Sequence, residues 1–380
     1  MQEVTFTLQT ITPLFLAGND QYETEVPRKY IPRGVQLSGR DRYTWQLQAE
    51  LRPPAFRGLM RYWQRALVSG IVGTDTQGLT NVRNVEQSVF GATDKSSAVS
   101  VRVTDISKNP TEYERESYSR DKVSGKDYLL WSMAKSGNVE RGTLRLDRQY
   151  FPPNSNFKIT LLSRDEDATN LNRAIAAMWL LTNLGGIGSR SRRCAGSLAA
   201  KPLQPLIGDI ANLSFNELTT IEELRVNLQN GIKVARSLYT DLPQRPPGEA
   251  RFDALSSNTC EIWIMRSNDK PWSSDKEAMT DVGEKLYTYR ETIKPVELRA
   301  VFGLPLIIRD LADRRLKREL EGHRQASPLL LRITKLQHEY VCVAVLFKTQ
   351  VQDIPLVPPR DYALIEKWIN MFLRKEAVDL

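Results

Sequence analysis

GGIGSRSRRCAGS, Gly185 to Ser197, is the stretch that decides how the rest of the chain is read. It holds four glycines, Gly185, Gly186, Gly188 and Gly196, with Arg190, Arg192, Arg193 and three serines. Glycine admits φ > 0 and lets another group approach the main chain closely. Arginine carries a planar fork of donors that matches phosphate geometry. The composition predicts a solvated loop that grips a polyanion. Main-chain amides around Gly185, Gly186 and Gly188 would meet phosphate oxygens, and the three guanidiniums would complete the grip. The GxxxxGK[ST] order of a nucleotide-binding P-loop is missing, and no strand runs straight in with a helix straight out, as a dinucleotide fingerprint requires. The alternative is a mobile surface loop whose arginines are merely solvated.

Upstream of the loop, the apolar run Ala174 to Leu184 reads as a helix that Asp167 or Thr169 can cap; downstream, Gly196 to Leu203 reads as a strand. Strands are also predicted at Val4–Ile11, Ser97–Val103, Gly142–Phe151 and Asn156–Ser163, from alternation of apolar and polar residues. A second helix is predicted over Pro54–Leu67, with proline in its first turn. Phe56, Met60, Trp63 and Leu67 share one face of it, while Arg57, Arg61 and Arg65 line a neighbouring face and present cations to a partner. Glu86 to Gly91 closes the linker after that helix. The order strand, helix, strand, strand, helix, strand is that of the split βαβ, or ferredoxin-like, unit, a layout shared with RNA-recognition modules. Two polar stretches interrupt it as surface insertions. One runs to Arg42 and carries Arg28, Lys29, Arg33, Arg40 and Arg42. The other covers 105–142, where Tyr113, Tyr118 and Tyr128 interleave with Arg115, Arg120, Lys122 and Lys126, a pattern that suits base stacking with phosphate contact.

Pro202 and Pro205 mark a boundary, giving an N-terminal domain over 1–204 and a C-terminal one over 205–380. In the second half, helices are predicted at Glu217–Tyr239 (bent near Gly231), Asp275–Arg290 and Pro358–Arg374. Strands are predicted at Cys260–Met265, Leu329–Leu336 and Tyr340–Lys348. The fold class expected is α+β, two ferredoxin-like domains with long basic insertions, the second degenerate. A chain of 380 residues exceeds one typical domain. The 53 Lys and Arg against 45 Asp and Glu leave a net charge of +8, which favours an anionic partner. Cys194, Cys260 and Cys342 form no CxxC pair, so neither a zinc ribbon nor a disulfide framework is expected. No signal-peptide pattern opens the chain and no apolar run approaches the roughly 18 residues of a spanning helix, so a cytoplasmic protein without a membrane partner is expected.

Five stretches resemble the RAMP superfamily of CRISPR proteins, and within it the two-domain subunits of type III-B (Cmr) effectors. They are Ile11-Thr12-Pro13-Leu14-Phe15 with Gly18; Glu50 through Gly58 continuing over Arg61-Tyr62-Trp63-Gln64-Arg65-Ala66; Glu86 to Gly91; Gly185 to Arg193; and Val301 to Pro305 with Arg324 to Leu329. The resemblance implies two ferredoxin-like domains and a non-catalytic subunit. Such a subunit caps one end of the effector filament near the 3′ end of the CRISPR RNA, where target RNA first pairs. The partners implied are CRISPR RNA, target RNA, the filament backbone and a neighbouring cap-end RAMP subunit, with no cofactor. One departure stands out. Cys194 replaces a family glycine and Ala195 a usual aromatic, which disfavours a left-handed backbone there and predicts a stiffer loop.

Catalysis finds little footing in the residues. His323 and His338 are the only histidines, and His323, beside Arg324, is the single candidate for a general base. It keeps open the alternative of a metal-independent RAMP-type endoribonuclease that processes CRISPR RNA. Asp165-Glu166-Asp167 sits at a helix start, where carboxylates complement the dipole without a metal. The reading adopted is an RNA-binding structural subunit whose contacts are Arg57, Arg61, Arg65, Gly185, Gly186, Gly188, Arg190, Arg192 and Arg193, with the arginine helix and the loop forming one surface.

Overall fold

Alternation near the N-terminus becomes strand β1 (Gln2–Thr10), which buries Phe6, Leu8 and Thr10 and leaves Thr7 and Gln9 on its other face. The structure, a computed structural model, describes every residue except 1, 19–21, 105, 116–117, 120–121, 307–310 and 351–352. The first insertion is less irregular than its sequence suggests, because β2 (Tyr22–Glu25) within it pairs with β3 (Tyr43–Gln46) just after it. Helix α1 (Pro53–Val72) buries Phe56, Met60, Trp63 and Leu67 as their spacing predicts. The supposed linker that follows is a second helix, α2 (Thr76–Phe90). Its apolar side is only Val82, Val85, Val89 and Phe90, too sparse to announce a helix, and Asp75 caps it by accepting the Gly78 amide at 2.7 Å.

Strand β4 (Val99–Thr104) leads into a segment with four two-residue strands, β5 (Thr111–Glu112), β6 (Tyr118–Ser119), β7 (Lys122–Val123) and β8 (Gln149–Tyr150), and helix α3 (Gly125–Leu129). The strand expected over Gly142–Phe151 is reduced to β8 and a bridge from Phe151 to Leu14. This second insertion does not stand away from the fold either. Gly125 on α3 lies so close to the second half that a Cβ would come within 1.9 Å of the Thr280 carbonyl, a contact only glycine allows. Strand β9 (Asn156–Ser163), helix α4 (Thr169–Leu184) and strand β10 (Leu198–Pro202) complete the first sheet, in the order β10-β1-β9-β4 with every pair antiparallel.

Helix α5 (Ile221–Ser237) starts on a Thr220–Glu223 capping box and runs through Gly231 without the expected bend, because that glycine receives the Trp179 ring. The second half then gives β11 (Cys260–Met265), α6 (Asp275–Thr292), α7 (Arg314–Gly322), β12 (Leu329–Lys335), β13 (Tyr340–Phe347), α8 (Ala363–Ile369) and β14 (Lys375–Val378). The closing helix expected over Pro358–Arg374 is thus short and followed by a strand, which pairs with β11. The second sheet is antiparallel in the order β12-β13-β11-β14. Counted within each half, both sheets place the fourth strand beside the first, the first beside the third and the third beside the second.

The two sheets do not have separate interiors. One apolar cluster joins Phe6, Trp63 and Trp179 of the first half to Ile262, Val345 and Phe347 of the second. Another joins Phe15, Leu130 and Ala195 to Met279, Leu331 and Trp368. Among the described residues no helix is long and apolar enough to cross a membrane.

Candidate nucleic-acid interface

The glycine-arginine loop leaves α4 and turns back on itself before β10. Gly185 ends the helix by donating its amide to the Leu181 carbonyl, and Gly196 donates to Pro13. Ile187 donates to Gly196, and Ser189 to Phe15. Gly196 has φ +64°, and a Cβ there would lie 1.8 Å from the Ile187 carbonyl, so no other residue fits. Gly185 and Gly186 are buried. Gly188 is half-buried, and a Cβ on it would lie 2.3 Å from the Phe15 carbonyl, so the glycines expected to offer amides to phosphate serve close packing and the loop is not a solvated cradle.

Its second part forms a seam between the halves. The Cys194 amide donates to Leu331 and the Leu331 amide to Arg192, so the loop runs as an added strand along the free edge of β12. Cys194 adopts φ 66°, so the left-handed conformation persists despite the missing glycine, and its side chain is fully buried. Arg192 donates to the Ser327 carbonyl at 2.5 Å, to Asp253 Oδ2 at 3.2 Å and to Tyr62 Oη at 3.3 Å. Tyr62 donates to the same carboxylate at 2.6 Å. This trio joins α1, the loop and the connection before β11. Replacing all three loop arginines with alanine consequently cannot spare folding, as a solvated loop would have allowed. Arg192→Ala alone should cost about 1–3 kcal/mol, the range for buried partners left unsatisfied, read from urea denaturation.

The arginine row on α1 is also partly spent. Arg61 Nε donates to Glu86 Oε1 at 2.6 Å and Nη2 to the Gly91 carbonyl, while Arg65 pairs with Glu86 Oε2 at 3.4 Å. Both arginines brace α1 on α2, the helix that the sequence did not disclose. Arg57 is exposed.

What the structure assembles instead is a cleft of about 520 Å³ where the loop, α3 and the second half meet. Arg190, Arg192, Arg193 and Arg290 line it, with Tyr128 and Trp131, and no described lining residue is acidic. Arg190 Nε donates to the Leu129 carbonyl at 2.8 Å and Arg193 Nη2 to the Phe302 carbonyl at 2.8 Å. Arg290 donates to Tyr128 Oη. Arg193 Nη1 and Arg290 Nε are buried with no acceptor among the described residues. Burial, with Arg290 nearby, pushes the Arg193 pKa down to about 10, and burial also lowers that of Arg190. Arg192 is already paired with Asp253, but Arg190, Arg193 and Arg290 meet no carboxylate among the described residues, and clustered cations that retain orphaned donors suit an anion. Trp131 remains 41% exposed beside them, under the Arg115 guanidinium.

Arg290 and Trp131 escaped the sequence reading, since neither lies near the loop in sequence and no spacing links them to it. Tyr128 was foreseen as part of an aromatic-cationic stretch, but Tyr113 of that stretch is core, packed on Phe15 with its hydroxyl donating to Asp127. Arg120 and the side chains of Tyr118 and Lys122 lie outside the described residues. His323 is not among the residues that line the cleft, and its Nε2 lies 2.9 Å from Oε2 of Glu319 on α7, the helix that ends just before it.

A family model of the RAMP superfamily matches residues 7–199, just over half of the 380. The chain belongs to the RAMP superfamily. Two curated relatives from Pyrococcus furiosus are similar to this RAMP chain. CRISPR system Cmr subunit Cmr1-1 is 28% identical over 288 residues, 76% of this chain and 77% of that protein. Cmr subunit Cmr1-2 is 31% identical over 217 residues, 54% of this chain and 100% of that protein. In fold, the chain is similar to the crystal structure of Cmr1 from the same organism in its apo form, with a TM-score of 0.62 and 22% identity, covering 100% of this chain and 99% of that one. It is also similar to a chain of the type III-B Cmr-beta complex bound to cognate target RNA, at TM-score 0.53 and 14% identity, covering 98% and 99%.

Proposed function

We propose that this RAMP chain is a non-catalytic, RNA-binding structural subunit of a type III-B CRISPR effector, and that the arginine cleft is where it holds RNA. The cleft carries the reading: the guanidiniums of Arg190, Arg193 and Arg290, two orphaned buried donors and an exposed indole offer phosphate contact and base stacking together. The similarity to Cmr subunits, one solved within a complex on target RNA, supports the assignment to an effector. In this reading the subunit caps the filament near the 3′ end of the CRISPR RNA and assists capture of target RNA in the cytoplasm. It would contact the filament backbone and a neighbouring RAMP subunit.

The shared strand order of the two sheets supports two ferredoxin-like units. The division proposed is 1–204 and 205–380, although α5 packs on the first half's core. The pairing of His323 with Glu319 outside the cleft favours binding over cleavage.

Fluorescence anisotropy with labelled single-stranded RNA tests this at several salt concentrations. Contact with five or so phosphates should give a slope of about −3 to −4 in log K against log salt, at about −0.7 per phosphate. The RNA should remain intact without added metal. Affinity independent of salt overturns the reading.

A further inference from the structure

A second cavity, of about 450 Å³, opens between β10 and β12, each the end strand of its sheet. It shares no lining residue with the arginine cleft. Its size falls in the range of roughly 300–1,000 Å³ typical of small-molecule sites.

Arg332 lines it at only 4% exposure. Its Nε donates to Thr334 Oγ1 at 3.1 Å, Nη1 to the Gly185 carbonyl at 3.4 Å and Nη2 to the Leu198 carbonyl at 2.9 Å. Among the described residues that leaves two of the five N–H groups of a guanidinium unused. All three acceptors are neutral, and among the described residues no carboxylate pairs with it. Gly185 caps the C-terminal end of α4, so part of the positive charge meets the helix dipole, but none is neutralised outright. Burial pushes the Arg332 pKa down to about 9, which still leaves it charged at neutral pH. A buried cation without a counterion is costly unless something completes its shell.

The remaining lining divides by chemistry. Lys201 and Lys335 stand exposed at the rim, with Glu217 as the one described carboxylate, so three cations face one anion. Thr7, Gln9 and Asn183 supply neutral hydrogen-bonding groups. Phe215, Leu218 and Leu224 supply an apolar side. Cations and an apolar surface in one cavity match a ligand with an anionic head and a flat, less polar body.

We propose that this cavity binds a phosphate-bearing small molecule of nucleotide size, its phosphate drawn to Arg332, Lys201 and Lys335 and its body set against Phe215 and Leu224. The phosphate could be carried by a free mononucleotide or by the terminal nucleotide of a short RNA. The site is independent of the RNA cleft.

Isothermal titration of the full chain tests it, with the four nucleoside 5′-monophosphates, the matching nucleosides and a 5′-phosphorylated trinucleotide as probes. At least one monophosphate should bind, and its nucleoside should bind at least tenfold more weakly. Lys201→Ala with Lys335→Ala, both exposed and remote from the core, should weaken binding about tenfold or more. Glu217→Gln should tighten it, since it removes the one opposing charge. Arg190→Gln with Arg290→Gln should leave it unchanged, which separates this site from the cleft whatever becomes of RNA binding. A trinucleotide that binds more tightly than any monophosphate, and loses that affinity in the lysine variant, assigns the phosphate to a chain end. No binding by any probe, equal binding of nucleoside and nucleotide, or binding lost only in the cleft variant would overturn the proposal.

Discussion

Trp63→Ala should cost about 3–5 kcal/mol of stability, the range for a large aromatic removed from a core. Trp63 is 1% exposed and lies where three parts of the chain converge. It projects from α1, meets Gly185 at the start of the loop, and packs its ring 6.2 Å from that of Phe347 on β13 in the second half. Tyr62 lies edge-on to it at 5.4 Å. The backbone at Gly185 is already pinned by its bond to Leu181, so the surroundings have little freedom to collapse into the space left behind. Because the apolar cluster that holds Trp63 draws on both sheets, both halves should lose stability in a single transition. Urea denaturation followed by tryptophan fluorescence and by circular dichroism reads both. The exposed Arg57→Ala, six residues earlier on the same helix, should shift stability by no more than about 0.5 kcal/mol. A Trp63→Ala loss below about 1 kcal/mol, or two separate transitions, would mean that the halves are stabilised independently.

The same residues explain how far the sequence could be read. Burial of Phe56, Met60, Trp63 and Leu67 follows from helical spacing alone, as strands β9 and β11 follow from alternation, because each signal is periodic and local. The loop was legible as an unusual place but not in its role. Density of glycine and arginine looks the same whether the arginines meet phosphate or the carbonyls of a distant segment. Ser327, Phe302 and Asp253 lie far along the chain from Arg192 and Arg193, and nothing local marks them as acceptors. Likewise Arg61 appeared free because its partner, Glu86, lies on a helix with too few apolar residues to be recognised. Arg290 was invisible as a site residue for the opposite reason: it occupies the end of an ordinary helix, where a cation complements the dipole. Only the close docking of α3 on α6, through Gly125 against Thr280, carries Tyr128 to Arg290 and closes the cleft.

Arg190→Gln combined with Arg290→Gln should weaken single-stranded RNA binding on the order of a hundredfold while leaving the fold as stable as before, or more so. Hydrogen bonds to charged groups contribute about 1.5–3 kcal/mol each, so losing two removes about 3 kcal/mol or more. Removing two cations should also flatten the salt dependence by about 1.4 in log K against log salt, from about 0.7 for each phosphate no longer neutralised. The stability arm separates a binding site from a structural one. Burial lowers the proton affinity of Arg193, Arg290 and Arg190 lower it further, and no carboxylate among the described lining residues offsets that repulsion. Glutamine keeps a donor for the Leu129 carbonyl and for Tyr128 while relieving the like-charge contact. A site built to receive an anion is strained when empty, and neutralising it exchanges function for stability. The experiment pairs RNA anisotropy at two salt concentrations with the thermal midpoint of the RNA-free chain. Unchanged RNA affinity with a lower midpoint would show that these arginines hold the halves together and that the RNA contact lies elsewhere; weakened binding with an equal or higher midpoint is the result the cleft requires.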